Sequence, residues 1–311
     1  MKSLVGLESL TPPEEGCALT IGTFDGVHLG HRALIAAAGE AAEALGAMTA
    51  ALTWDRHPAA TLRPDRAPLL LTSTARKTEL LAEAGVESLA LLPFDEELSQ
   101  VTAEDFVTDV LVAGLGARSV FVGHNWRFGR DRAGDVGLLM KMGADLGFEV
   151  HGAPLIEVAG EPVSSSRIRR AVAAGDMAEA RALLGRPFDV DGVVMPGRSR
   201  GRELGYPTAN LELEPHLSRP PVGVYAGVAT IAEVRRPAAI NIGTSPTFAS
   251  DGAPEVRVEA FVLDFDGDIY GTTVRLEFWE RLRDEVRFDS VEALVAQMGD
   301  DVEQTRRVTS A

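Results

Sequence analysis

The hydrophobic pattern of this chain changes period once, near residue 185, and that change rules out a single fold class for the whole sequence. Before it, short apolar runs alternate with helical patterns. Cys17–Gly22, Ala47–Thr53, Ser88–Leu92 and Arg118–Val122 read as buried strands, and His31–Leu45, Ser73–Ala84, Ala103–Val112 and Val136–Leu146 as helices. Strands separated by helices of this length need crossover connections, which predicts a parallel sheet covered on both faces. Asp176–Leu184 reads as one last helix, ended by Gly185-Arg186-Pro187. Beyond it the chain reads mostly as strands: Phe188–Val194, Gly223–Ile231, Pro237–Ile242, Val256–Asp264 and Thr273–Trp279. Gly, Pro and Asp turns separate them, which suits a small antiparallel barrel. Asp289–Val308 reads as a closing amphipathic helix with Ser290 as its cap. A length of 311 residues fits two such domains, 1–185 and 186–311.

Charge narrows the function. Asp and Glu number 46 against 30 Lys and Arg, a net charge of −16. The imbalance is spread evenly, with 17 basic and 25 acidic residues in 1–186 and 13 and 21 in 187–311. Phosphate backbones and anionic bilayers repel such a chain, so neither nucleic acid nor membrane is an expected partner. The single cysteine, Cys17, excludes an internal disulfide framework and a Cys-rich zinc site. No stretch approaches the roughly 20 apolar residues of a membrane span. Residues 1–15 lack the apolar segment of a signal peptide. The expectation is a cytoplasmic protein. With no coiled-coil repeat or long apolar stripe, a monomer or weak homo-oligomer is expected.

The strand at 17–22 runs into Gly22-Thr23-Phe24-Asp25-Gly26-Val27-His28-Leu29-Gly30-His31, and a helix follows. Glycines let backbone approach a ligand, and a helix start offers unpaired N–H groups and a positive dipole end. Two imidazoles three residues apart at that spot suit a phosphate whose charge grows during transfer. A plain glycine turn with two exposed histidines, or a histidine pair on a metal, are the alternatives; without a third ligand the metal case is weak.

Strand, loop, His-x-Gly-His and helix together resemble the nucleotidylyltransferase superfamily. The longer GTFDGVHLGH resembles the FMN adenylyltransferase module of prokaryotic bifunctional riboflavin kinase/FAD synthetases. That resemblance implies a Rossmann-like domain in which His28 and His31 are catalytic and Gly22, Phe24 and Gly30 bind nucleotide. Gly123-His124-Asn125-Trp126-Arg127-Phe128-Gly129 is similar to the family's flavin segment, which implies flavin contacts from Asn125, Trp126 and Phe128. Val163-Ser164-Ser165-Ser166-Arg167-Ile168-Arg169 resembles the second phosphate motif. It implies that Ser164, Ser165 and Ser166 bind nucleotide and that Arg169 is catalytic. The chain departs from the family at Arg56, within Trp54-Asp55-Arg56-His57-Pro58, where a proline is usual. It departs again at Glu161-Pro162, where some members carry a basic residue.

The second half holds a Gly/Arg-rich loop after a strand, read over Gly192–Asn210 and including Pro196-Gly197-Arg198-Ser199-Arg200-Gly201-Arg202. It lacks the Walker pattern, so taken alone it is as readily a solvated barrel loop as a phosphate loop. The following Leu204-Gly205-Tyr206-Pro207-Thr208-Ala209-Asn210 resembles the Pro-Thr-Ala-Asn motif of riboflavin kinases. The resemblance implies that Gly197, Gly201, Thr208 and Asn210 bind nucleotide, with Thr208 and Asn210 near Mg²⁺. Asn241–Phe248 and Asp268–Gly271 are similar to further family segments. Val258-Glu259-Ala260-Phe261 is similar to the strand bearing the catalytic glutamate, so Glu259 is the implied general base; many members have His where this chain has Phe261. A lone Glu on a strand is otherwise usually solvated. Arg281–Phe288 resembles the flavin-side loop, which implies contacts from Arg283 and Phe288, against the plainer reading of an exposed charged loop.

The resemblance spans residues 15–309. It implies Mg²⁺ and ATP, with riboflavin, FMN and FAD as substrates and products. A single surviving activity, another phosphorylated acceptor, or a non-catalytic flavin-binding regulator are the rival functions. Nine of the 30 basic residues cluster at Arg127, Arg130 and Arg132, at Arg167, Arg169 and Arg170, and at Arg198, Arg200 and Arg202. Such local clusters on an acidic chain suit small mobile anions.

Overall fold

The computed structural model describes residues 1–153, 155–197, 205–245 and 255–310. Its contacts divide the chain into two units, Met1–Leu70 with Thr74–Ser165, and Leu71–Ser73 with Ser166–Ala311.

Six parallel strands form the sheet of the first unit: β1 (Lys2–Val5), β2 (Cys17–Ile21), β3 (Met48–Trp54), β4 (Ser88–Leu92), β5 (Ala117–Gly123) and β6 (Glu149–Ala153). Their order is β1-β4-β3-β2-β5-β6. From β2 the chain winds outward to β3 and β4, then crosses back to β5 on the other flank. The loops after β2 and β5 therefore open side by side at carboxyl ends where the winding reverses, the place such sheets bind ligands. Central strands are continuous apolar runs because both faces are covered; all five residues of β2 are buried. The edge strands β1 and β6, absent from the sequence reading, are mostly exposed and carry no such run.

Helix α1 (Leu29–Leu45) buries Leu34, Ile35, Ala38 and Ala42 along one face. It ends at Gly46, whose left-handed backbone (φ 59°) suits glycine. Helix α2 (Thr74–Glu83) buries Leu80 and Leu81, and also Arg76 and Lys77. The predicted helix at 103–112 is a short α-helical turn, Ala103–Asp105, continued as a π-helix over Phe106–Gly114. Helix α3 (Val136–Leu146) lies where the sequence predicts it.

Helices α4 (Ser165–Ala174) and α5 (Met177–Leu184) precede the barrel, and from Ser166 onward their contacts group with it. The strands β7 (Phe188–Met195), β8 (Thr208–Leu213), β9 (Gly223–Ile231), β10 (Val234–Ser245), β11 (Glu255–Val262) and β12 (Thr273–Arg283) close in the order β7-β8-β11-β10-β9-β12. All six pairings are antiparallel. Phe188, Phe278 and Tyr225 fill the centre, with Tyr225 edge-on to Phe278 at 5.5 Å. Burial of each phenylalanine contributes about 2 kcal/mol. Helix α6 (Val291–Thr309) packs on β9, β10 and β12, and the Ser290 hydroxyl accepts from the Ala293 N–H at 3.2 Å to cap it.

Two expectations change. Strand β8 replaces the tail of the predicted Gly/Arg loop. Residues 281–283 belong to β12 and not to a loop, because β12 extends past Trp279 to pair with β9 across two bulges.

Candidate active sites

His28 is the N-cap of α1: its Nδ1 accepts from the His31 N–H at 3.3 Å. With Nδ1 an acceptor, a neutral His28 ring carries its proton on Nε2. The two imidazoles stack, 3.6 Å between centroids, and the buried Phe24 ring meets His31 edge-on at 5.2 Å. Burial, then the neighbouring His28, then Lys77, hold the His31 pKa well below the usual imidazole range, so its ring is neutral. His31 Nδ1 is buried without a hydrogen-bond partner among the described residues.

The loop carrying this pair is under strain. Phe24 and the β-branched Val27 sit at positive φ, 47° and 38°. The Thr53 hydroxyl donates to the Thr23 carbonyl at 3.2 Å, and the Ser165 hydroxyl donates to the Asp25 carbonyl at 2.9 Å. That second bond brings the start of α4 to the loop. Ser164 is half-buried beside it; Ser166 and Arg169 follow on α4 in the second unit, Arg169 half-buried. A methyl group at Gly30 would stand 3.2 Å from the His28 ring, and one at Gly22 3.3 Å from the Phe24 ring. Both glycines thus leave room that those rings occupy.

After β5, Gly123 accepts from the Trp126 N–H at 2.9 Å, which turns the chain and leaves Asn125 exposed. Trp126 stacks on Phe128 at 4.5 Å. Phe128 itself is buried against Phe106 and the backbone at Gly134, so it supports the tryptophan ring from below. The departure at Arg56 does not leave its loop loose. Arg56 grips Asp55 through bonds of 2.9–3.2 Å, and Asp55 accepts the Phe94 N–H at 3.0 Å. Burial pushes the Asp55 carboxyl up, but those bonds outweigh it and its pKa lies below the usual range.

In the barrel the register does the positioning. Glu259 stands opposite Asn210 on one side and Asn241 on the other. Residues directly opposite share a face of the sheet, with Cβ atoms about 5 Å apart. Val258 and Ala260 point inward with Leu211, Ile240 and Ile242, so the Asn210–Glu259–Asn241 row lies on the outer face. Thr208 joins it opposite Phe261, whose ring meets Tyr206 edge-on at 5.3 Å. A methyl group at Gly197 would lie 2.0 Å from Asn210 Nδ2, so the backbone there closes over the amide. Gly201, Arg198, Arg200 and Arg202 lie outside the described residues, as do 246–254.

Arg283 is committed elsewhere: its guanidinium grips the buried Asp301 at 2.7–3.2 Å and stands 5.8 Å from the half-buried Phe288 ring. Arg167 likewise pairs with Glu179 at 2.8 Å. The sequence reading missed Lys77 beneath the first loop, and Glu285, whose carboxylate leans over Gly243 near Asn241. Only the scarcity of lysine, three in the chain, marks Lys77 in the sequence.

No helix among the described residues is long and apolar enough to cross a membrane, and among them no cluster of three His, Cys, Asp or Glu is arranged to hold a metal. A family model described as FAD synthetase matches residues 10–167, and one described as riboflavin kinase matches 184–309. A bifunctional riboflavin kinase/FMN adenylyltransferase of Pseudomonas fluorescens is 38% identical over 310 residues, covering 100% of this chain and 98% of the relative. One from Escherichia coli K12 is 37% identical, covering 97% and 96%. A crystal structure from Streptococcus pneumoniae, described as a macrolide-efflux protein, superposes with a TM-score of 0.88 at 33% identity, covering 98% and 99%.

Proposed function

The chain belongs to the family of bifunctional riboflavin kinases/FMN adenylyltransferases, and on that premise we propose the roles of its residues. The activities are those of the family: riboflavin is phosphorylated to FMN, and FMN is adenylylated to FAD.

In the adenylyl transfer an FMN phosphate oxygen attacks the α-phosphorus of ATP and pyrophosphate leaves. The observation that carries our reading is the stacked His28–His31 pair at the α1 N-terminus, where the sheet's winding reverses. His28 Nε2–H and the helix-start N–H groups donate to phosphate oxygens as charge builds, with His31 held neutral beside them. Gly22, Phe24 and Gly30 shape that cradle; Ser164, Ser165 and Ser166 add donors, and Arg169 a fixed positive charge. Asn125 and Trp126 receive the flavin, and Phe128 backs the tryptophan. The two steps need no covalent enzyme intermediate.

In the kinase reaction Glu259 takes the proton of the riboflavin 5′-hydroxyl as that oxygen attacks the γ-phosphorus and ADP leaves. Thr208 and Asn210 hold Mg-ATP, with Gly197 closing over the amide. Their neutral oxygens beside one carboxylate suit Mg²⁺, which keeps several waters and takes few protein ligands, and which supplies charge neutralisation on the phosphates. Phe288 lies on the flavin side with Arg283 bracing that segment. We place the functional boundary at 185/186. We further read the protein as cytoplasmic, monomeric or weakly self-associating, and without nucleic-acid partners.

Purified chain given riboflavin and ATP is expected to form FMN first and FAD second with Mg²⁺ present, and neither product in excess chelator. Product formation that persists in chelator would remove the Mg²⁺ assignment.

A further inference from the structure

We infer that Lys77 is a positioning residue of the adenylyl transfer, clamping the Gly22–His31 loop onto the end of β3 and so fixing where the His28–His31 pair stands. The inference rests on the reading of that loop as the FMN adenylyltransferase site.

Lys77 projects from α2 and is only 7% exposed. Its Nζ donates to the Trp54 carbonyl at 2.6 Å and to the Thr23 carbonyl at 3.4 Å. Trp54 ends β3, and Thr23 is the second residue past β2, so one ammonium ties the ends of two adjacent parallel strands. The loop so tied is the strained one, with Phe24 and Val27 at positive φ, and strain of this kind persists only where the surroundings hold it. The Thr53 and Ser165 hydroxyls each hold one loop carbonyl; Lys77 adds a charge to the same task.

Burying an ammonium on two carbonyls is an expensive way to pack a helix, since an apolar side chain fills such a place at lower cost. Charged and titratable groups face it from three elements: Asp25 from the loop, Asp55 beyond β3 and His31 on α1. Asp55 is itself shared with Arg56, and Arg76, beside Lys77 on α2, turns to Glu79 and Glu83. Burial pulls the Lys77 pKa down to about 8, with Asp25 and Asp55 pulling the other way. The charge lies close enough to His31 to help keep that imidazole neutral.

The test uses the full chain with Lys77→Met and Lys77→Arg. FMN adenylylation is measured across pH, and riboflavin phosphorylation in the same preparation serves as the folding control. For Lys77→Met the expected result is a kcat for adenylylation lowered about tenfold or more, with KM values within about twofold. Its acid limb, which reports His31, moves to higher pH because a like charge has gone. In the native chain adenylylation is expected to fall as pH rises through about 8, where burial leaves Lys77 losing its proton. Lys77→Arg keeps most of kcat and loses that alkaline fall, because a guanidinium stays charged. Unchanged kcat and pH profile in Lys77→Met overturn the inference, and so does a rise in KM alone. If Lys77→Met fails to fold, Lys77→Arg decides, and an alkaline limb identical to the native one overturns it. His28→Ala runs alongside: FAD formation that survives there defeats the reading of the site itself, whatever Lys77 does.

Discussion

In the first unit the chemistry we propose stands on backbone. His28 is itself the cap of α1, His31 is fixed by stacking on it, and two strained residues in the loop are held by hydrogen bonds to Thr23 and Asp25 carbonyls. In the barrel the proposed chemistry stands on strand register. Asn210, Glu259 and Asn241 meet because three antiparallel strands pair at those positions, and none of the three sits at positive φ. The first arrangement is sensitive to whatever anchors the loop. The second tolerates changes around it but not a slip in pairing, since one residue of slip turns the row to the other face.

The largest expected effects separate the two sites. Glu259→Gln removes the proposed base, and riboflavin phosphorylation is expected to fall about 100- to 10,000-fold. Conversion of added FMN to FAD is unchanged, as product quantification checks. His28→Ala does the reverse, lowering FAD formation from FMN about 100- to 1,000-fold with phosphorylation kept. If either variant depresses both activities while folded, the sites are not separate as described.

The next effect concerns stability. Arg283→Ala leaves the Asp301 carboxylate buried with its main partner gone, at a cost of about 3 kcal/mol. Heat inactivation of the kinase activity then comes at lower temperature, while FMN adenylylation in the same sample holds. A kinase that binds riboflavin more weakly with unchanged heat stability would make Arg283 a ligand contact and not a brace. The smallest effect is local. Gly197→Ala puts a methyl against Asn210 Nδ2, which displaces the amide and raises the kinase KM for ATP about tenfold, roughly 1.4 kcal/mol.

The sequence made the buried parts of the fold visible and hid the margins. Strands β2 to β5 announce themselves as apolar runs because helices cover both faces. β1 and β6 lie at the edges, where Glu149 and His151 are exposed and the run is broken. β8 escaped because Thr208 and Asn210 face outward and read as part of a polar loop. At the sites, His28, His31 and Glu259 stand in long motifs. Lys77 had no such signal: a lysine on an amphipathic helix reads as solvated, and only the packing of α2 under the loop after β2 buries it. Phe128 shows the converse: its motif implies a flavin contact, and burial also makes it the support for Trp126.

The central claim is that two complete and separate sites share this chain. It is tested most directly by mixing Glu259→Gln with His28→Ala in the presence of riboflavin and Mg-ATP. Either variant alone makes FAD from riboflavin at no more than about a hundredth of the native rate. The account predicts that the mixture makes FAD well above that rate, after a lag in which free FMN from one variant builds up for the other. A mixture that accumulates FMN but never FAD, or FAD at near the native rate from either variant alone, would contradict it.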